Sequence, residues 1–479
     1  MTNTSGTRVY NLDFDANAFR PVTTQVNGRE VRYRAYERVV YVRSPQDTTY
    51  QSMNIYVPEE YFGGRTIGAY NAQTAPIFLP NGVGGYMQAE PGTAGNDERT
   101  GSPNAALVAL SRGYVVAAPG ARGRSTKNAA GEFVGKAPAA IVDLKAAVRY
   151  LRYNDRAMPG NAERIISNGT SAGGALSALL GASGNNRDYE PYLTALGAAQ
   201  TRDDIFAVSS YCPITNLENA DAAYEWQFGG VNDYTRLQIA RDTDFRIQRT
   251  LVPGTLTAEQ IALSNELKPT FPAYLNGLRI RSGSGGGSSV LTLDQNGNGS
   301  FKEYVASFIQ ASAQTALDAG QDLSAATYLT VSGGRVTAVD FDAYVRAVGR
   351  QKIPPAFDGL SLENGENELF GTSAANARHF TAFSQQRSKA GGAVAEPEVV
   401  RLMNPMNYVG ATGTQRALHW RIRTGTADRD TSLAVPVILG TRLINAGYDV
   451  DLFLPWNVPH SGDYDLDQLF AWMDRVAAP

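Results

Sequence analysis

Cysteine occurs once, at Cys212, and histidine three times, at His379, His419 and His460. A single cysteine excludes an internal disulfide and fits a reducing compartment, so the thiol is expected as a small buried hydrophobe. With one cysteine and three dispersed histidines there is no zinc-type spacing, and no metal is expected. Charge of either sign is also scarce: 43 Lys+Arg nearly cancel 46 Asp+Glu, and no Lys/Arg run or basic face stands out. That excludes the usual nucleic-acid binder. No stretch reaches the roughly 18 consecutive apolar residues of a membrane span. Met1-Thr2-Asn3-Thr4-Ser5-Gly6 has neither the basic flank nor the apolar run of an export signal. These absences point to a cytoplasmic protein without nucleic-acid or membrane partners, and a monomer is expected; secretion with the signal already removed is the alternative.

At 479 residues the chain exceeds the size at which one core stops growing, so one enlarged domain or two are expected. Residues 8 to 62 alternate short β-like runs (Val31-Arg32-Tyr33, Val39-Val40-Tyr41-Val42, Met53-Asn54-Ile55-Tyr56-Val57) with turn residues, an antiparallel entry to a sheet. From Ala75 the runs become continuously apolar, as in Pro76-Ile77-Phe78-Leu79 and Tyr114-Val115-Val116-Ala117-Ala118, the signature of parallel strands buried on both faces. Ile141, Leu144, Val148 and Leu151 then recur at helical spacing over residues 139 to 153, and a further strand is expected at Ile205-Phe206-Ala207-Val208. From about 215 to 403 the βα rhythm stops and amphipathic helices and loops are expected, with helices near 302 to 318 and 338 to 349 and a flexible Gly/Ser stretch at 282 to 289. The rhythm returns at His419-Trp420-Arg421-Ile422-Arg423, runs through a helix at 434 to 446 and a strand at 448 to 454, and ends in a helix near 466 to 477. The expectation is an α/β fold with a mostly parallel sheet flanked by helices. The α/β domain is discontinuous, 1–214 plus 404–479, with a large, mainly helical insertion at 215–403.

Ile165-Ile166-Ser167-Asn168-Gly169-Thr170-Ser171-Ala172-Gly173-Gly174 carries an apolar strand end into Gly-x-Ser-x-Gly and then a helix, the pattern of a nucleophile elbow in α/β-hydrolases. A serine needs a base and an acid that orients the base, supplied in this fold in the order Ser, Asp/Glu, His. His379 falls in a helix-like stretch and His419 at the wrong end of its strand. His460 lies in a loop leaving the carboxyl end of the last strand, where catalytic groups gather in such sheets. In the loop after the preceding strand, Thr424-Gly425-Thr426-Ala427-Asp428-Arg429-Asp430 offers two carboxylates. Asp428, nearer the strand end, is the better orienter, and Asp430 is left for another role. An oxyanion hole needs two backbone N–H groups. One is expected from Ala172, after the nucleophile. The other is expected from the glycine-rich loop Pro80-Asn81-Gly82-Val83-Gly84-Gly85-Tyr86, at Gly82 or Val83, although those glycines also fit a plain tight turn.

Two other motifs are set aside. Asp294-Gln295-Asn296-Gly297-Asn298-Gly299-Ser300 copies the start of an EF-hand loop, but position twelve is Val305 instead of the bidentate Glu, so a polar turn is expected, with a weak ion site as the alternative. Gly120-Ala121-Arg122-Gly123-Arg124 lacks the Lys-Ser/Thr ending of a phosphate loop and is expected beside the site with structural arginines.

Asn168-Gly169-Thr170-Ser171-Ala172-Gly173-Gly174, Asp428-Arg429-Asp430-Thr431-Ser432 and Pro459-His460-Ser461-Gly462-Asp463-Tyr464-Asp465 together resemble the bacterial tannases of the intracellular type with a large lid. The resemblance continues through Tyr224-Glu225-Trp226-Gln227-Phe228, Pro355-Ala356-Phe357-Asp358, Glu366-Asn367 and Asn404-Pro405-Met406-Asn407-Tyr408. It implies hydrolysis of galloyl ester and depside bonds by Ser171, Asp428 and His460, without a cofactor. It also implies that Lys352, Glu366 and Asp430 bind the three galloyl hydroxyls of a small aromatic ester. The cysteine pair that flanks the catalytic Ser and His of fungal tannases is absent. A feruloyl or other hydroxycinnamoyl esterase is the alternative within the class, and a non-catalytic binding protein on a degenerate hydrolase fold the alternative outside it.

Overall fold

The computed structural model describes residues 9–97, 100–241, 247–285 and 287–478, and no side chain within 238–241 or 247–249. The stretch from Met1 to Gly6, and Gly286 within the Gly/Ser stretch, lie outside the described residues.

Thirteen strands are described. They are β1 (Arg20–Val26), β2 (Arg29–Val40), β3 (Ser52–Pro58), β4 (Pro76–Pro80), β5 (Val115–Pro119), β6 (Asn161–Thr170), β7 (Ala207–Tyr211), β8 (Asp233–Arg241), β9 (Ile247–Thr255), β10 (Leu329–Ser332), β11 (Arg335–Val339), β12 (His419–Arg423) and β13 (Asp449–Phe453). Nine of them form one sheet in the order β1-β2-β3-β5-β4-β6-β7-β12-β13. The first three strands enter antiparallel, and every pairing from β5 to β13 is parallel. β5 and β7 are buried along their whole length, as a sheet covered on both faces requires. The covering helices include Ala139–Tyr153, Ala172–Ala182 and Ala434–Asn445.

The sequence expectation fragmented one element. Val31-Arg32-Tyr33 and Val39-Val40 belong to a single strand, β2, whose register shifts between Tyr36 and Val39 where Arg38 takes φ 54°. That irregularity breaks the alternation that would have joined them.

The described residues between 217 and 407 add no strand to the nine-stranded sheet. The expected helices occur as Ser300–Asp318 and Phe341–Val348. Two antiparallel hairpins, β8/β9 and β10/β11, stand where only helices and loops were expected. This region packs around Trp226, whose indole lies against Phe271, Phe301 and Phe341 at centroid distances of 5.3, 5.6 and 5.5 Å. Each such aromatic pair adds about 0.5–1.5 kcal/mol beyond the area it buries. The indole N–H donates to the carbonyl of Gly297 at 3.0 Å, within the turn that mimics an EF-hand. The Asp294 carboxylate there accepts the N–H groups of Asn296 and Asn298, both at 2.9 Å.

Candidate active site

The tight turn after β6 gives Ser171 an unusual backbone, φ 61° and ψ −121°, immediately ahead of the Ala172–Ala182 helix. A non-glycine residue at positive φ is strained, and such strain is held where the surroundings over-determine it. The turn leaves no room for side chains beside the serine: a Cβ on Gly169 would lie 2.3 Å from the carbonyl oxygen of Gly173. Ser171 itself is partly exposed and Ala172 is buried.

Asp428 follows β12 and His460 follows β13, two strands paired in parallel, so their loops leave the same edge of the sheet. The loops are joined by backbone bonds, Thr426 N–H to Pro455 O at 2.9 Å and Ala427 N–H to Val458 O at 3.1 Å. His460 Nδ1 lies 2.8 Å from Asp428 Oδ2, and the carboxylate is fully buried while the imidazole is about a quarter exposed, at 26%. Asp428 Oδ1 accepts the N–H of Asp430 at 2.9 Å. A proton on Nδ1 leaves Nε2 as the free base. The loop is brought to the elbow by Gly462, where an added Cβ would fall 1.8 Å from Thr170 Oγ1, one residue before Ser171. Ser171 Oγ and His460 make no hydrogen bond with each other among the described residues; such contacts often tighten only with substrate bound.

Burial opposes a positive charge on His460. The carboxylates of Asp428 and Asp430, with hydrogen bonds to Asp428 and Cys212, outweigh that and hold the imidazole well above its ordinary value. The role of Cys212 was not foreseen. It is buried as expected, but its thiol donates to the carbonyl of Ser461 at 3.2 Å and borders the His460 ring. Cys212, Asp428 and His460 thus place potential ligand atoms within 4.8 Å of one another, a grouping that dispersal along the sequence concealed.

The loop after β4 is anchored to the elbow by Asn81, another residue the sequence did not single out. Its amide donates to the carbonyls of Asn168 and Gly173 at 3.2 and 3.1 Å and to Ser177 Oγ at 3.0 Å. Gly82 and Val83 follow directly, and the backbone hydrogen-bond network does not consume their N–H groups or that of Ala172.

Lys352, Asp430 and Glu366 come together. Lys352 Nζ is 3.1 Å from Asp430 Oδ2 and sits over the Phe357 ring at 4.0 Å. Burial works against ionisation of Asp430, yet Lys352 and His460 hold it below the usual carboxylate range. Glu366 goes the other way: burial pushes its carboxyl up, with the Asp430 charge adding to the rise and Lys352 and Arg124 opposing it.

One helix, Leu217–Phe228, holds these segments in place. The Tyr224 hydroxyl accepts the N–H groups of Gln351 and Lys352, both at 3.0 Å, and donates to the carbonyl of Arg429 at 2.9 Å. Glu225 pairs with Arg350 with both side chains fully buried, and Arg350 Nε donates to the carbonyl of Lys352 at 2.9 Å. Asp221 accepts the N–H groups of Phe357 and Asp358 at 2.7 and 3.2 Å; burial and the Asp358 charge push its carboxyl up to about 8. Gln227 accepts from Ser432 Oγ and the N–H of Leu433 at 3.0 and 2.8 Å.

The other histidines stand apart. His379 lies outside any helix, contrary to expectation, and is fully buried between Asp358 and Ser388, each 2.8 Å from a ring nitrogen. His419 opens β12 and meets Asp449 at 2.7 Å. Arg122 is buried against Asp143 and Arg124 donates to the carbonyl of Gly85 at 2.9 Å, so this loop's arginines are structural supports as expected.

A mostly parallel, helix-covered sheet with a serine at the strand-to-helix elbow after β6 and an Asp–His pair in the loops after the parallel strands β12 and β13 defines an α/β-hydrolase. A family model described as BD-FAE matches residues 92–240. No curated protein matches the chain. Among solved structures, a tannase from Fusobacterium nucleatum is 50% identical with a TM-score of 0.93, covering 98% of this chain and 100% of its own. A tannase from Lactobacillus plantarum is 47% identical with a TM-score of 0.93 and the same coverage. A tannin acyl hydrolase in complex with ethyl gallate is 47% identical with a TM-score of 0.91, covering 97% of this chain and 99% of its own. The chain belongs to the bacterial tannases and is a carboxylic ester hydrolase. Among the described residues no helix is long and apolar enough to cross a membrane.

Proposed function

We propose that the chain hydrolyses galloyl ester and depside bonds through Ser171, His460 and Asp428, with residues 215–403 as a lid over the hydrolase core. One observation carries this reading: Lys352 Nζ lies 3.1 Å from Asp430 Oδ2, two residues after the Asp428 that holds His460, so charged groups suited to ring hydroxyls adjoin the base. That a relative is seen with ethyl gallate supports the substrate class. In this mechanism neutral His460 takes the Ser171 proton through Nε2 while Asp428 holds Nδ1–H. Ser171 Oγ attacks the ester carbonyl, and N–H groups of Ala172 and of Gly82 or Val83 receive the oxyanion. His460 protonates the leaving alcohol, then activates water to release the acid from the acyl-enzyme. Lys352 donates to the ring hydroxyls and Asp430 and Glu366 accept from them, contacts strengthened by charge. Comparing kcat/KM on methyl gallate and methyl ferulate tests the substrate class; preference for the ferulate overturns it.

Two further outcomes follow from the geometry. The base must be neutral to act, so with His460 held above its ordinary value the acid limb of the kcat/KM–pH profile is expected above about 6.5, the reference value for histidine. Asp430→Asn removes one of the charges that raise His460. The acid limb should therefore move to lower pH, read on an aryl acetate that does not use the ring-binding cluster; a limb that stays put removes Asp430 from the coupling. Tyr224→Phe keeps the ring and deletes the hydroxyl that joins the Lys352 segment to the acid loop. Two part-buried N–H groups lose their acceptor, which costs at most the roughly 1–3 kcal/mol of a fully buried unpaired group. The expected result is a higher KM for methyl gallate, with kcat on an aryl acetate changed much less; equal losses on both would place Tyr224 in general stability alone.

A further inference from the structure

Between Asp428 and Asp430, whose carboxylates meet His460 and Lys352, Arg429 goes elsewhere. Its side chain helps to line a cavity of about 580 Å³. One wall is built from Ala427 and Arg429 of the acid loop and Trp456, Asn457 and Pro459 of the histidine loop, the other from residues including Tyr328 and Val348. Neither Ser171, Lys352, Glu366 nor Asp430 lines it. The volume lies within the roughly 300–1,000 Å³ of small-molecule sites.

Four of the groups lining this cavity, Arg429, Trp456, Tyr328 and Asn457, are hydrogen-bond donors. Among the described residues the Arg429 guanidinium meets no carboxylate, and the side chains of Trp456, Tyr328 and Asn457 have no hydrogen-bond partner there, although each carries an N–H or O–H. Trp456 and Tyr328 present rings 6.3 Å apart and tilted by 43°. Asp322, which also lines it, already accepts from the N–H and the Oγ–H of Ser324 at 2.9 and 3.0 Å and keeps lone pairs that can accept from a ligand hydroxyl. A half-buried guanidinium binds planar carboxylates in two-point fashion, and aromatic faces receive a flat ring.

We propose that this cavity is a second small-molecule site, separate from the Ser171 centre, that takes a hydroxylated aryl carboxylate with its carboxylate on Arg429 and its ring against Trp456 or Tyr328. The pocket chemistry alone selects this ligand class. That the same class is the acid product of the enzyme rests on the function proposed above. Because one wall consists of the loops carrying Asp428 and His460, a bound acid would contact the neighbours of the Asp–His pair without entering the Ser171 centre.

The test is a titration of the Ser171→Ala protein with 3,4,5-trihydroxybenzoate, followed by calorimetry and by tryptophan fluorescence. Two binding events are expected. Arg429→Ala should weaken one at least ten-fold and Trp456→Phe should remove its fluorescence change, whereas Lys352→Ala should weaken only the other. The neutral amide of the same acid should bind the Arg429 site at least ten-fold less tightly. Arg429→Lys, which retains the charge but not the planar fork, should fall between, and a thermal unfolding midpoint matching the parent keeps these losses from being read as unfolding. A single event, sensitive to Lys352→Ala and indifferent to Arg429→Ala and Trp456→Phe, overturns the second site and leaves the proposed function standing. Binding that responds to Arg429→Ala and not to Lys352→Ala supports the second site and counts against the ring-binding role of Lys352.

Discussion

Ser171→Ala is expected to lower kcat on methyl gallate by about 10⁴- to 10⁶-fold, with His460→Ala comparable and the double variant scarcely worse, since members of such a unit act together and not additively. The serine sits in a backbone conformation, φ 61° and ψ −121°, for which structure alone gives no reason. A nucleophile does give one, because the turn lifts its hydroxyl out of the sheet. His460 is set to serve it by the 2.8 Å contact from Nδ1 to the buried Asp428 carboxylate. Single-turnover assays measure the loss. A fluorophosphonate should label the parent protein and fail to label Ser171→Ala; persistent labelling would assign the nucleophile elsewhere.

The second large effect concerns selectivity. Lys352→Ala and Glu366→Ala are expected to reduce kcat/KM on methyl gallate by roughly 10²- to 10⁴-fold while changing hydrolysis of phenyl acetate much less, because a site built to pair hydroxyls loses discrimination when its partners go. The electrostatics favour this assignment over a surface ion pair: Lys352 and Asp430 are only 22% and 19% exposed, and Glu366 makes no hydrogen bond to another described residue through its side chain. A carboxyl held up by burial and by Asp430 is well suited to meet a phenolic hydroxyl, either as acceptor or, while protonated, as donor. Parallel assays on the two esters decide it, and equal losses would show that these side chains do not read the ring.

The elbow was legible because its signal is local: an apolar strand, small residues about a serine, and a helix. His460 was legible because so few histidines compete and their positions relative to strand ends differ. Lys352 and Glu366 carry no such local mark, and only the family resemblance pointed to them. The two missed hairpins lie where pattern fails. Three of the four residues of β10 are exposed, and Leu237 in β8 and Leu251 in β9 remain in solvent, so no alternation of buried and exposed positions betrays a strand. Tyr224, Asn81 and Cys212 escaped for another reason: their roles are tertiary, made by contacts to segments distant in the chain, which residue type and spacing do not encode.

The Leu217–Phe228 helix sets the unit of any redesign. Four of its side chains, Asp221, Tyr224, Glu225 and Gln227, are tied to segments at 350–358 and 428–433. Transplanting the 350–358 segment from a relative with another acyl preference, without the matching helix, would leave the buried Glu225 carboxylate without its ion-pair partner wherever the donor segment lacks an arginine at 350. The exchangeable cassette is therefore helix plus segment, and recombination libraries should place their crossovers outside both.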